Sequence, residues 1–126
     1  MTRIFRVLAV EDDEANIKLV RTILRDLPLD IAHAPTGRQA IDWLTAEAPD
    51  LILLDVNLPD MYGWEILDKF KDNGRLRNCP VIVLTAQRDP VHRLIGSLQA
   101  VAVYMHKPVN ANELREQVRQ LLDLDV

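Results

Sequence analysis

Two short runs that are apolar at every position restrict the fold more than any other feature of the chain. They are LILL at residues 51–54 and VIVL at residues 81–84. A strand buried on one face alternates apolar and polar residues, and neither run alternates. The runs therefore predict two central strands of a parallel sheet that is covered on both faces.

Similar strand-like segments recur along the chain, separated by stretches with apolar residues at helical spacing. The predicted strands are residues 6–10, 30–34, 51–54, 81–84 and 101–105. The last helical stretch is the clearest, because Leu114 and Val118 fall on one face and Asn110 is placed to cap its start. Five strand–helix units in succession predict an α/β fold, a doubly wound five-stranded parallel sheet with five helices.

Size and composition limit the classes of function. With 126 residues, the chain is expected to form one domain, residues 1–126, around a single core. A formal net charge of -4 gives no electrostatic reason for direct binding to nucleic acid. No apolar run approaches the ~20 residues of a membrane span, so no membrane association is expected. The single cysteine, Cys79, fits a reducing compartment, and we predict a cytoplasmic protein.

Polar side chains follow four of the predicted strands. In an open parallel sheet, the functional crevice lies at the carboxyl ends of the strands. A single acid at such a position is commonly a helix or turn cap, but polar residues at the ends of four strands, all converging on one edge, are harder to explain as caps. The residues, in chain order, are Glu11, Asp12, Asp13, Asp55, Thr85 and Lys107.

The acids at this edge need cations. Two carboxylates about 5 Å apart repel by ~3 kcal/mol at an effective dielectric constant near 20. Lys107 supplies one cation, and a hard divalent ion, best Mg²⁺, would supply the other. A metal, a lysine, a hydroxyl and a carboxylate together suit phosphoryl transfer, with Asp55 as the nucleophile and Thr85 as a hydrogen-bond donor to the transferred group.

Four motifs occur in a specific order: VEDDEAN at 10–16, LILLDVNLPDMYGWE at 51–65, VIVLTA at 81–86 and YMHKP at 104–108. The set resembles the receiver domain of two-component response regulators and is similar to the single-domain chemotaxis-type regulators. The resemblance covers essentially the whole chain. It implies a flavodoxin-like sheet with strand order 2-1-3-4-5.

The resemblance also implies roles for individual residues. Asp55 would be the phosphorylation site, and Lys107 would pair with the phosphoryl group. Mg²⁺ would be held by Glu11, Asp12, Asp55 and the backbone carbonyl of Asn57. The chain would accept phosphoryl groups and catalyse its own phosphorylation and dephosphorylation, without being an enzyme that acts on a separate substrate.

The implied partners are a histidine kinase or histidine phosphotransfer protein and a downstream output protein or domain. Thr85 and Tyr104 would be the switch residues, and they would change the surface formed by the fourth helix, fifth strand and fifth helix. Gly96 in the predicted fourth helix suits that helix to movement, because glycine costs ~1 kcal/mol against alanine in a helix interior.

Several alternatives stay open at this point. Asp13 adjoins the acidic pair, which could be shifted by one position. The apolar run AVAV at 100–103 replaces acids that often join subunits in DNA-binding regulators; it is expected to lengthen a buried strand, the alternative being an apolar docking surface. An aspartyl-nucleophile phosphatase commonly has a second carboxylate where Asn57 stands. An interaction module without phosphorylation would be expected to lack an acid, the threonine or the lysine.

Overall fold

The computed structural model describes residues 3–70, 74, 76, 78–86 and 101–124. Elements within these residues are numbered in chain order. They are β1 (Phe5–Val10), α1 (Glu14–Ile23), β2 (Leu29–Ala34), α2 (Gly37–Ala46), β3 (Leu51–Asp55), α3 (Gly63–Phe70), β4 (Val81–Thr85), β5 (Val103–His106) and α4 (Ala111–Leu121).

The five strands form one parallel sheet in the order β2-β1-β3-β4-β5. This confirms the predicted α/β class and the flavodoxin-like strand order. Because β1 lies between β2 and β3, the chain winds outward in both directions from the middle of the sheet. The order reverses beside β1 and β3, so a crevice is expected at their carboxyl ends.

Four of the five predicted helices fall within the described residues. α4 is the fifth helix predicted from the sequence. Asn110 caps it as expected, since its side-chain oxygen accepts a hydrogen bond from the backbone N–H of Glu113 at 2.9 Å. The predicted fourth helix, with Gly96, lies outside the described residues.

The predicted start of the fifth strand was wrong. β5 begins at Val103, two residues later than expected, and ends at His106. The ladder with β4 begins where Val103 pairs with Ile82. Before that point, Ala102 N–H donates to Val81 O at 3.1 Å, but Val101 and Ala102 precede the strand.

The sheet is covered on both faces, as the unalternated runs predicted. Every residue of β3 and β4 is buried. Leu51 and Leu53 pack toward the face that carries α1 and α4, whereas Ile52 and Leu54 pack toward the face that carries α2 and α3. Among the described helices, none combines the length and apolar character that crossing a bilayer requires.

Candidate phosphoryl-accepting site

The predicted site residues meet at the carboxyl edge of the sheet. Asp55 and Thr85 are the last residues of β3 and β4, while Glu11 and Lys107 directly follow β1 and β5. Backbone hydrogen bonds continue the ladders past the strand ends: Glu11 N–H donates to Ala34 O at 3.1 Å, and Lys107 N–H donates to Thr85 O at 2.8 Å. The sheet itself therefore fixes the backbone of the functional residues.

Three carboxylates form a compact cluster at this edge. One oxygen each from Glu11, Asp12 and Asp55 lies within 4.8 Å of the others. Glu11 and Asp55 are both only 7% exposed, whereas Asp12 is exposed to solvent. Two carboxylates of the cluster are thus buried, and the third lies on the side open to solvent, from which an ion or a phosphoryl donor can approach.

Lys107 reaches into the cluster. Its Nζ donates to Glu11 Oε1 at 2.6 Å and to Asp55 Oδ2 at 3.3 Å. Burial lowers the pKa of Lys107, but the hydrogen bond and charge of Glu11 and the charge of Asp55 outweigh burial and raise it. The lysine is therefore held as a cation between the two buried acids.

For Glu11, burial outweighs the effect of Lys107, and the pKa is raised. Desolvation is the largest effect on this carboxyl group and raises its pKa, and the neighbouring Asp55 raises it further. The hydrogen bond from Lys107 lowers the pKa without cancelling those effects. Burial therefore makes the ionised form of Glu11 less favourable in the folded chain than in water.

The Asp13 carboxylate stands apart from the acidic cluster, although the Asp13 backbone N–H donates to Glu11 Oε2 at 3.4 Å. Its Oδ1 accepts a hydrogen bond from the backbone N–H of Ala15 at 2.8 Å and caps α1. The carboxylates gathered around Asp55 are those of Glu11 and Asp12, and the role of this pair as metal ligands stays a prediction.

The loop after β3 is tightly folded around Asp55. Asn57 N–H donates to Asp55 Oδ1 at 3.1 Å, and Gly63 N–H donates to Val56 O at 2.7 Å. A Cβ atom at position 63 would lie 2.7 Å from the backbone oxygen of Asp55, so only glycine fits there without movement. The loop therefore keeps Asn57 beside the Asp55 carboxylate.

The donor set fits a hard cation. Clustered carboxylate oxygens, with the Asn57 carbonyl two residues beyond Asp55, are the oxygen ligands that Mg²⁺ prefers, and partial ligation by protein leaves room for water and phosphate oxygens. The residues present are thus compatible with the predicted Mg²⁺ site.

The two predicted switch residues lie on neighbouring strands. Thr85 is fully buried at the end of β4, and Tyr104 is half-buried on β5. The register pairs Thr85 with His106 and Val83 with Tyr104, which places both switch side chains on the same face of the sheet. The Tyr104 ring contacts His106 edge-on, with ring centroids 5.6 Å apart.

Two contacts had no counterpart in the sequence-based prediction. His33 Nε2 lies 2.6 Å from the backbone oxygen of Glu11, and Asp60 accepts hydrogen bonds from the first residues of α2. Both join residues more than 20 positions apart, so no local pattern indicates them. The strand register could have suggested the first, because His33 pairs with Ala9 on the strand that leads to Glu11.

The comparisons with known proteins converge on one family. Residues 7–119 match the family described as response regulator receiver domain. The polar-differentiation response regulator DivK of Brucella anthropi is 33% identical over 119 residues, which cover 92% of this chain and 94% of DivK. A response regulator receiver domain protein (CheY-like) from Methanospirillum hungatei superposes with a TM-score of 0.86 and 29% identity, covering 96% of this chain and 95% of that one.

A longer relative also matches. The response regulator PleD of Caulobacter vibrioides is 33% identical over 116 residues, which cover 92% of this chain. The matched part is 26% of PleD, so the chain spans about a quarter of that relative's length.

Proposed function

The chain belongs to the response regulator receiver domain family, and from that premise we propose that it is a signalling switch in which Asp55 accepts a phosphoryl group in a Mg²⁺-dependent reaction. One observation carries the proposal: Asp55 lies at the carboxyl edge of the sheet, clustered with Glu11 and Asp12 and hydrogen-bonded to Lys107. This is the set of groups that phosphoryl transfer to a carboxylate requires.

The proposed donor is a phosphohistidine of a histidine kinase or phosphotransfer protein. An oxygen of the Asp55 carboxylate attacks phosphorus, and the new O–P bond forms as the N–P bond breaks. The electron pair of the N–P bond stays with the imidazole, which leaves neutral because its other nitrogen carries a proton. Later attack of water on phosphorus releases inorganic phosphate and restores the carboxylate.

The chain's own residues hold the reacting groups in place. The Asn57 N–H bond to Oδ1 orients the Asp55 carboxylate, and the Lys107 ammonium faces Oδ2, where it can pair with the negative charge of the incoming phosphoryl group. Glu11, Asp12, Asp55 and the Asn57 carbonyl would hold Mg²⁺. When bound, Mg²⁺ would offset the charge on the phosphoryl oxygens.

Output in this proposal passes through Thr85 and Tyr104. A phosphoryl group adds roughly -1.5 to -2 charges and three acceptor oxygens. The Thr85 hydroxyl moves to donate to one of these oxygens, and Tyr104 turns into the space that Thr85 leaves. The surface around β5 and α4, with the predicted fourth helix, then changes for an output protein or domain. The phosphoryl group biases this equilibrium only by contacts that differ between the two states.

The chain would act as a switch and not as an enzyme with a separate substrate. The only reactions are phosphorylation and dephosphorylation of the chain itself. The proposed setting is the cytoplasm, with a protein as the output partner. Direct binding to nucleic acid is not proposed, since the chain carries a formal net charge of -4.

The proposal is tested by intact-mass measurement after incubation with acetyl phosphate, with and without Mg²⁺. The native chain should gain one phosphoryl group when the metal is present, and Asp55→Asn should gain none. Asp13→Asn is a matched control, because Asp13 caps α1 outside the cluster, and it should be labelled like the native chain. A native chain that gains no phosphoryl group and binds no beryllium fluoride would instead indicate an interaction module that works without phosphorylation.

A further inference from the structure

The first turn of α2 is capped by a residue from a distant loop. Gly37 N–H donates to Asp60 Oδ1 at 2.8 Å, and Arg38 N–H donates to Asp60 Oδ2 at 2.9 Å. The backbone N–H of Gln39, the next residue of the helix, donates to Thr36 Oγ1 at 3.1 Å. Asp60 thus uses both carboxylate oxygens to satisfy donors that a helix leaves open at its N-terminus. It lies in the loop that joins β3 to α3.

A second contact presses the same loop against α2. A Cβ atom at position 37 would lie 2.4 Å from Met61 Cγ, so the Met61 side chain occupies the space that any larger residue would need. The loop is therefore attached to the start of α2 by two hydrogen bonds and by close packing at adjacent residues.

The loop is also closed on itself, so that its anchored end and its active-site end are connected. Leu58 N–H donates to Met61 O at 3.2 Å, and Asn57 and Tyr62 form an isolated antiparallel bridge. Asn57 is bonded in turn to the Asp55 carboxylate. A displacement of residues 60–61 should therefore reach Asn57 through the backbone pairing within the loop.

We infer that Asp60 is a positioning residue for the metal site: by fastening the β3–α3 loop to α2, it holds the Asn57 carbonyl where Mg²⁺ requires a ligand. This inference rests on the proposed function. It adds that Mg²⁺ binding and the α2 cap are coupled, and such coupling is reciprocal. The cap should tighten Mg²⁺ binding, and Mg²⁺ should strengthen the cap.

The first arm of the test measures Mg²⁺ affinity by NMR titration in the native chain, Asp60→Ala and Asp42→Ala. Asp42 is the matched control, since it is an exposed acid of α2 whose salt bridge to Arg38 lies outside the cap. Asp60→Ala should bind Mg²⁺ roughly fivefold more weakly or worse, within the usual range of coupling between sites. Asp42→Ala should bind as the native chain does. Equal affinities in the two variants would overturn the inference, even if Asp60→Ala is less stable.

The second arm needs no variant and covers the case in which Asp60→Ala does not fold. Amide hydrogen exchange is measured in the native chain with and without Mg²⁺. The Gly37 and Arg38 amides, which donate to Asp60, should be slowed by Mg²⁺ more than the Gln39 amide, which donates to Thr36. Equal slowing of all three amides would contradict the coupling. A native chain that binds no Mg²⁺ would overturn the proposed function together with this inference, so the two failures are distinguishable.

Discussion

Lys107 lies nearer to Glu11 than to Asp55: its Nζ is 2.6 Å from Glu11 Oε1 and 3.3 Å from Asp55 Oδ2. The lysine therefore neutralises Glu11 as well as Asp55. A divalent cation bound by the same acids would compete with Lys107 for their negative charge.

This arrangement predicts that Lys107→Ala binds Mg²⁺ more tightly than the native chain, because a competing positive charge has been removed. Without Mg²⁺, the variant should be less stable by about 1 to 3 kcal/mol, since two buried carboxylates lose a charged hydrogen-bond donor. Urea denaturation across a series of Mg²⁺ concentrations measures both effects. Weaker Mg²⁺ binding in the variant would show that the lysine and the metal do not compete.

Glu11→Gln is expected to raise the stability of the metal-free chain and to weaken its stabilisation by Mg²⁺. Burial and the neighbouring Asp55 raise the pKa of Glu11, so the ionised form weakens the native state, and a neutral amide should raise the free energy of unfolding in metal-free buffer. The same change removes a charged ligand, so stabilisation by Mg²⁺ should be largely lost. Thermal unfolding with EDTA and with Mg²⁺ checks both signs, and a variant less stable than the native chain in EDTA would contradict the first.

Two glycine substitutions should differ in cost. Gly63→Ala puts a methyl group 2.7 Å from the backbone oxygen of Asp55 and should destabilise by about 1 to 3 kcal/mol, because the end of β3 has to move. Gly37→Ala meets side-chain atoms of Met61 and should cost less, because a side chain is displaced more easily than the backbone at a strand end. Chemical denaturation gives both values. The reverse order would mean that the loop after β3 is less rigid than its hydrogen bonds indicate.

Asp60 should contribute a pH-dependent part of the stability. The N–H groups of Gly37 and Arg38 stabilise its ionised form and lower its pKa below the ordinary value of 3.8. For an acid with a lowered pKa in the folded state, the contribution is present above its unfolded pKa and is lost as the pH falls through the folded pKa. The stability difference between the native chain and Asp60→Asn should therefore shrink below about pH 3.8.

The measurement is the urea midpoint at several pH values, with Asp42→Asn in parallel to account for the loss of one surface carboxylate. A difference between the native chain and Asp60→Asn that stays constant from neutral to acid pH would show that the charge of Asp60 does not stabilise the cap.

The sheet was predictable because its signals are local. LILL and VIVL show burial on both faces, and the acids, threonine and lysine that follow the strands converge because parallel strands end at one edge. The start of β5 was not predictable in this way. Val101 and Ala102 have strand-like composition, but the start of β5 depends on where its pairing with β4 begins, at Ile82 and Val103, and the sequence of the fifth segment alone does not contain that information.

The supports of the site were less predictable than the site itself. Asp13 and Asp12 are adjacent acids after the same strand, and only the geometry separates the helix cap from the cluster member. Asp60 follows Pro59, as in an ordinary turn, whereas the residues whose N–H groups donate to it lie 22 and 23 positions away. Such contacts form when helices and loops that are distant in sequence pack together, and they leave no periodic pattern in the sequence.

We propose that the phosphoryl group resides on Asp55. The most direct test is to phosphorylate the chain with acetyl phosphate and Mg²⁺, reduce the acyl phosphate with borohydride, and locate the resulting homoserine by tandem mass spectrometry. The account predicts homoserine at position 55 and its absence when Mg²⁺ is removed with EDTA. Homoserine at position 12 or 13 in place of position 55 would contradict the account, because the acceptor would then be one of the acids assigned to metal binding or to the α1 cap.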